Sequence, residues 1–296
     1  MDSLDWFEMA NVSRKLVTTS DGVRLSLLES GHGRPLVLLP GWSQSAAMFR
    51  YQLEGLAEHY RVIALDWRGH GESEKVDFGY RLSRFAMDLQ DVLCRCDLDS
   101  VAVLGHSMGN AVLWCHWEMF GRGRVSQMVV AEQPPSLLAK PEWSAGEKEL
   151  IGCLCDAEEL MRNCAAMRGP DGAAFRAEFV SGMLSERISP EDRAFIIEEN
   201  LRVPPDAAAR LLFETSVADW RDVIRRIDLP TLICAGEGSV VPLASQRWIR
   251  DQISGARLEV FPAEEGGSHF MFWESPKRFN RVVGEFLGGL LPPGDS

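Results

Sequence analysis

Residues 105–109 read Gly-His-Ser-Met-Gly and end an apolar run, Val101-Ala102-Val103-Leu104. A serine framed by glycines at the end of such a run is a candidate nucleophile. A sharp strand-to-helix turn pushes its hydroxyl out of the sheet, and the glycines remove the Cβ atoms that would crowd the turn. A serine hydroxyl is a weak nucleophile by itself. It needs a base within hydrogen-bond reach and a carboxylate behind that base. The candidate base is His269, in Gly266-Gly267-Ser268-His269-Phe270. Two residues compete to be the acid. Glu132 closes the run Met128-Val129-Val130-Ala131 and precedes Gln133-Pro134-Pro135, whereas Glu237 lies in Gly236-Glu237-Gly238-Ser239. Ser239 stands where this chain order would put an aspartate. Glu132 is preferred, with Glu237 as the alternative.

Acyl transfer builds negative charge on a carbonyl oxygen, and N–H groups aimed at that oxygen lower the barrier. The N–H of Met108, directly after the serine, is one expected donor. The N–H of Trp42, in Pro40-Gly41-Trp42-Ser43, is the other. Trp42, Ser43, His106, Met108 and Phe270 are the expected pocket residues, His106 with its ring turned toward the packing behind the turn. His70 is read as ordering its own loop. No metal and no cofactor is expected.

Such a set works only if strands deliver its members to one edge of a sheet. Apolar runs at 35–40, 61–66, 100–105, 126–132, 230–237 and 256–264 read as core strands, and Arg14–Thr19 and Val23–Glu29 flank Asp21-Gly22 as an opening hairpin. Helical spacing fills 81–98, 110–120 and the stretch from Pro276. The expected class is α/β, a mostly parallel sheet flanked by helices. Residues 136–226 carry helical segments and no convincing strand. They read as a helical cap inserted into a core made of 1–135 and 227–296. Ser189-Pro190-Glu191-Asp192 is a helix start within it.

Bulk properties exclude several functions. The net charge is −12, with no basic cluster, which argues against nucleic acid and anionic membranes. No apolar run reaches the ~20 residues of a membrane span. The amino terminus is acidic and lacks the order of a signal peptide. A cytoplasmic monomer or homodimer acting on a small molecule is expected. The seven cysteines are an odd number, and their two Cys-x-Cys pairs are too tight for a zinc knuckle, so buried free thiols are expected.

The ordered set Pro40-Gly41-Trp42, Asp66-Trp67-Arg68-Gly69-His70-Gly71-Glu72-Ser73, Gly105–Gly109 and Gly266–Phe270 resembles the α/β-hydrolase superfamily, over about residues 20 to 288. Within it, the chain looks most like the serine esterase and perhydrolase-like group often labelled non-haem chloroperoxidases. That group has Asp-Gln-Pro-Pro where this chain has Glu132-Gln133-Pro134-Pro135, so the resemblance implies Glu132 as the acid. Pro40-Gly41-Trp42, Arg61–Ser73, Asp77-Phe78-Gly79-Tyr80 and His106-Ser107 are also similar to cofactor-free dioxygenases that open quinolone rings. There a histidine deprotonates a 3-hydroxy-4-quinolone and the anion reacts with dioxygen. That group has a second histidine after the serine, where this chain has Met108. The reading is a hydrolase of an ester, thioester, lactone or activated carbonyl of a small apolar or aromatic substrate. The alternatives are a dioxygenase using a His269–Glu132 dyad and a small-molecule receptor on the same fold.

Overall fold

The computed structural model describes residues 11–288. The acidic amino-terminal decapeptide and the Pro-Pro-Gly tail lie outside the described residues. Eight strands form one sheet in the order β1-β2-β4-β3-β5-β6-β7-β8. β1 (Ser13–Thr18) and β2 (Arg24–Ser30) are an antiparallel hairpin, and β2 also runs antiparallel to β4. β3 (Arg34–Leu39), β4 (Tyr60–Leu65), β5 (Val101–His106), β6 (Val125–Ala131), β7 (Thr231–Gly236) and β8 (Arg257–Phe261) are mutually parallel. β5 and β7 are buried along their whole length. Burial on both faces is why those stretches read as unbroken apolar runs rather than alternating ones.

Helices α1 (Arg50–Gly55), α2 (Leu82–Arg95) and α3 (Met108–Phe120) connect the first strands. Six helices stand between β6 and β7: α4 (Ala145–Ile151), α5 (Ala157–Arg168), α6 (Gly172–Ser181), α7 (Pro190–Leu201), α8 (Pro205–Val217) and the single turn α9 (Arg221–Ile224). α10 (Leu243–Gln252), α11 (Met271–Glu274) and α12 (Pro276–Gly288) complete the chain. The inserted segment leaves and returns side by side: Trp220 N donates to the Pro135 carbonyl at 2.9 Å, and Ser136 bridges Asp219. Ser189 caps α7, its hydroxyl accepting from Asp192 N at 3.0 Å, and Pro190 occupies the first turn.

Several ties bind the inserted segment to the core, among them three near the site. The Trp42 indole donates to Ala208 O at 2.7 Å, Ser43 Oγ donates to Asn200 O at 3.1 Å, and Arg50 pairs with Asp192 at 2.8 Å. The Arg50 guanidinium also lies 4.2 Å over the Trp273 ring. Below the sheet's loops, Arg68 and Asp88 form an ion pair at 2.7 Å in which both side chains are fully buried. Arg68 also reaches Asp21 in the hairpin turn at 2.9 Å. The cysteines correct an expectation. Cys115, Cys164 and Cys234 are buried, but Cys94 is exposed and Cys96, Cys153 and Cys155 are half-buried. Cys94 is exposed although its neighbours Val92 and Leu93 are buried, because they lie on another face of the same helix, and Cys153 and Cys155 flank the exposed Leu154. Among the described residues, no helix is long and apolar enough to cross a membrane.

Candidate active site

The strand order brings five loops to one edge, at the carboxyl ends of the parallel strands. They carry Trp42 after β3, Ser107 after β5, Glu132 after β6, Ser239 after β7 and His269 after β8. That edge is where open α/β sheets bind ligands.

Ser107 is the turn itself, with φ 50° and ψ −125°, and α3 starts at the next residue. This is strained backbone for a residue with a side chain. Ser107 N donates to Ala131 O at 2.9 Å, which ties the turn to β6. The flanking glycines are required by space. A Cβ at Gly105 would stand 2.3 Å from Asn110 Oδ1, and one at Gly109 would stand 2.2 Å from the Leu39 carbonyl oxygen. Asn110 in turn donates to Ala131 O at 2.8 Å. The backbone N–H groups of Met108 and Trp42 have no partner among the described residues.

Glu132 is fully buried and also strained, with φ 58°. A left-handed conformation costs an L-residue roughly 1–2 kcal/mol. Its carboxylate accepts from Gly236 N at 2.7 Å, from the Ser239 hydroxyl, and from His269 Nδ1 at 3.3 Å. Glu237 is exposed and makes no contact with His269. Its backbone N–H is bound to Phe261 O at 2.9 Å, and it is not among the residues that line the cavity. The part played by Ser239 was not legible beforehand. The only signal was its type: a hydroxyl at a place where a carboxylate would otherwise stand.

His269 is 5% exposed and lines the same cavity as Ser107. With Nδ1 on Glu132, its Nε2 has no hydrogen-bond partner among the described residues. Ser107 Oγ and His269 Nε2 share no direct hydrogen bond here. Catalytic hydrogen bonds are commonly long in the unliganded state and tighten around substrate. The His269 carbonyl is held by His106 Nε2 at 2.8 Å, and His106 Nδ1 lies 2.9 Å from Gln44 Oε1. Burial first, and the neighbouring His269 imidazole second, hold the His106 pKa well below the ordinary imidazole range. His106 thus links the Gly41–Gln44 loop to the His269 loop through its two ring nitrogens.

The cavity above Ser107 measures about 550 Å³. Trp42 and Phe270 line it, together with residues of α5 to α8 that roof it. Three expected pocket residues do not line it. Ser43 is fully buried, its hydroxyl spent on Asn200 O. His106 lies behind the turn among Phe270 and Phe272. The Met108 side chain is fully buried because the first turn of α3 faces the sheet. Trp42 is the one tryptophan among the lining residues. His70 is buried with Nδ1 on Arg68 O at 2.9 Å, within its own loop.

Comparison with known proteins matches residues 36–282 to the family described as "Alpha/beta hydrolase family". The chain is 30% identical over 264 residues to a non-heme haloperoxidase of Rhodococcus erythropolis, covering 86% of this chain and 92% of that one. Among solved structures it is similar to a bromoperoxidase from Bacillus anthracis. The TM-score is 0.84 at 25% identity, and the match covers 93% of this chain and 99% of that one. An esterase from Rhodococcus sp. superimposes with a TM-score of 0.77 at 26% identity, covering 94% and 99% of the two chains.

Proposed function

The chain belongs to the alpha/beta hydrolase family, and from that premise we propose that it is a serine hydrolase working through Ser107, His269 and Glu132. The observation that carries the reading is the single cavity that holds the strained Ser107 and the Glu132-bound His269 together.

In this reading His269 Nε2 takes the Ser107 proton as Oγ attacks an ester, thioester or lactone carbonyl. The N–H groups of Met108 and Trp42 receive the oxyanion, assisted by the amino-terminal end of α3. His269 then protonates the departing alcohol, thiol or ring oxygen. Water, deprotonated by the same imidazole, attacks the acyl-serine and frees the acid. Glu132 keeps the Nδ1–H tautomer and stabilises the imidazolium, while Ser239 and Gly236 hold the carboxylate in place. Residues 136–226 act as the cap, supported by the placement of α5 to α8 over the cavity. The apolar lining, including Leu160, Phe179 and Leu212, favours a small apolar or aromatic substrate.

The test is hydrolysis of p-nitrophenyl butyrate with labelling by a fluorophosphonate probe. Ser107→Ala is expected to abolish labelling and lower kcat by on the order of 10³-fold or more. Full activity in that variant overturns the reading. Oxygen uptake with a hydroxyquinolone, retained in Ser107→Ala and lost in His269→Ala, points instead to dioxygenase chemistry on the same dyad.

A further inference from the structure

The lining of the cavity is unbalanced in charge. Glu132, Glu159 and Glu178 reach it, and no lysine or arginine does. Glu132 is occupied by His269, Ser239 and Gly236. The side chains of Glu159 and Glu178 have no ion pair or hydrogen bond among the described residues.

Carboxylates alone do not make a site, but Thr215 is a second, independent sign. It lines the cavity and is 4% exposed, and its Oγ1 is buried with no hydrogen-bond partner. Buried hydroxyls nearly always have partners; this one is turned away from the open space, and a turn of the side chain about χ1 would exchange it with Cγ2 and bring it to the cavity. Two contacts place it beside Glu159. Arg168 of α5 meets Asp206 of α8 at 2.9 Å, and Cys164 Sγ meets Ala209 O at 3.4 Å. The helices are thus antiparallel. One further turn back along α5 and forward along α8 brings Glu159 and Asn163 to the level of Leu212 and Thr215. All four line the cavity. Glu178 joins them from α6.

We propose that this wall, between α5 and α8, binds a protonated amine on the substrate. The ammonium donates to Thr215 Oγ1, turned about χ1 into the cavity, and to the Asn163 side-chain oxygen, and faces the Glu159 carboxylate, with Glu178 adding charge at the opening. The apolar stretch of Leu160, Leu212 and Phe179 covers the chain between the amine and the reacting carbonyl. The proposal rests on the serine-hydrolase reading and narrows its substrate class to amine-bearing esters or lactones, with anionic ones disfavoured.

The experiment compares three p-nitrophenyl esters of matched length: hexanoate, 6-aminohexanoate and the adipate monoester. The ammonium ester is expected to exceed the neutral one in kcat/KM by roughly three- to tenfold, and the carboxylate ester to fall below it by a similar factor. The gap narrows as salt is raised. Glu159→Gln and Thr215→Val should each pull the ammonium-to-neutral ratio toward one. A flat series in the wild-type protein, or a ratio unmoved by Glu159→Gln, overturns the proposal. Should Ser107 fail to label and no ester turn over, the hydrolase reading fails separately. Binding of hexylamine against hexanoate, followed by tryptophan fluorescence, then still tests the wall. Tighter binding of hexylamine is expected, and equal affinities overturn it.

Discussion

Replacing Glu132 tests the arrangement at its most constrained point. Its carboxylate gathers three donors: Gly236 N–H at 2.7 Å, the Ser239 hydroxyl and His269 Nδ1 at 3.3 Å. In Glu132→Ala, His269 loses the group that selects its tautomer and stabilises its cation. In serine triads that loss costs about 10⁴-fold in kcat. Gly236 N–H and the Ser239 hydroxyl lose their acceptor as well, at about 1–3 kcal/mol each when buried. Glu132→Gln keeps the volume and one acceptor oxygen, so its stability loss should be smaller while kcat still falls by at least 10²-fold. The Ser239 Oγ lies one hydrogen bond from the oxygen to be replaced, and an aspartate at 239 reaches one bond farther toward His269. Adding Ser239→Asp to Glu132→Ala should therefore recover kcat by roughly ten- to a hundredfold. The assay is p-nitrophenyl butyrate turnover alongside urea unfolding of the same preparations. Glu237→Gln serves as the control and should be indistinguishable from wild type. A Glu132→Gln enzyme within tenfold of wild type, or a Glu237→Gln enzyme as impaired, refutes the reasoning.

Other outcomes follow from particular contacts. Gly109→Ala puts a Cβ 2.2 Å from a backbone oxygen that cannot step aside, so a loss of about 3 kcal/mol or failure to fold is expected; wild-type urea stability would contradict this. Trp42→Phe removes the 2.7 Å indole bond to Ala208 O, which should cost about 1 kcal/mol and speed amide exchange in α8. Unchanged exchange there would deny that bond an anchoring role. Burial pushes the pKa values of His70 and His116 from 6.5 down to about 4. Between those values the unfolded chain binds more protons than the folded one. Stability is therefore complete above about pH 6.5 and falls as the pH drops toward 4, by up to about 3 kcal/mol per histidine. Urea midpoints at pH 7.5 and 5.0 should show the fall, and His116→Gln should reduce it; a pH-independent midpoint would contradict the assignment.

The strands at 34–39, 60–65, 101–106, 125–131, 231–236 and 257–261 all lie within a few residues of the apolar runs that announce them. Burial on both faces demands such runs in the central strands, and the edge strand at 257–261, only half-buried, keeps a shorter one, so this level of structure is local and legible. The insertion between β6 and β7 was legible for the same reason, as helical spacing with no strand between. The turn at Ser107 could be read because its glycines answer close approaches within the turn and to the strand beneath it. Pocket membership was not legible. Ser43 and Met108 adjoin chemistry-bearing positions in sequence, yet each is turned inward. The reasons are a bond to the distant Asn200 and the direction in which α3 sets out from its first turn.

The sequence by itself determined the strands, the helical insertion and a serine placed at a strained strand-to-helix turn. These depend on neighbours a few residues away, through side-chain period and the room that glycine leaves. Only the tertiary structure decided which carboxylate meets His269. Glu132 and Glu237 both follow buried strands, and β6 and β7 are adjacent, so spacing treats them alike. The choice lies in a left-handed backbone at 132, in the Gly236 N–H and the Ser239 hydroxyl that hold its carboxylate, and in a loop that turns 237 outward. Such three-dimensional closure joins residues more than a hundred positions apart; the pattern Glu132-Gln133-Pro134-Pro135 favours Glu132 but does not by itself exclude Glu237.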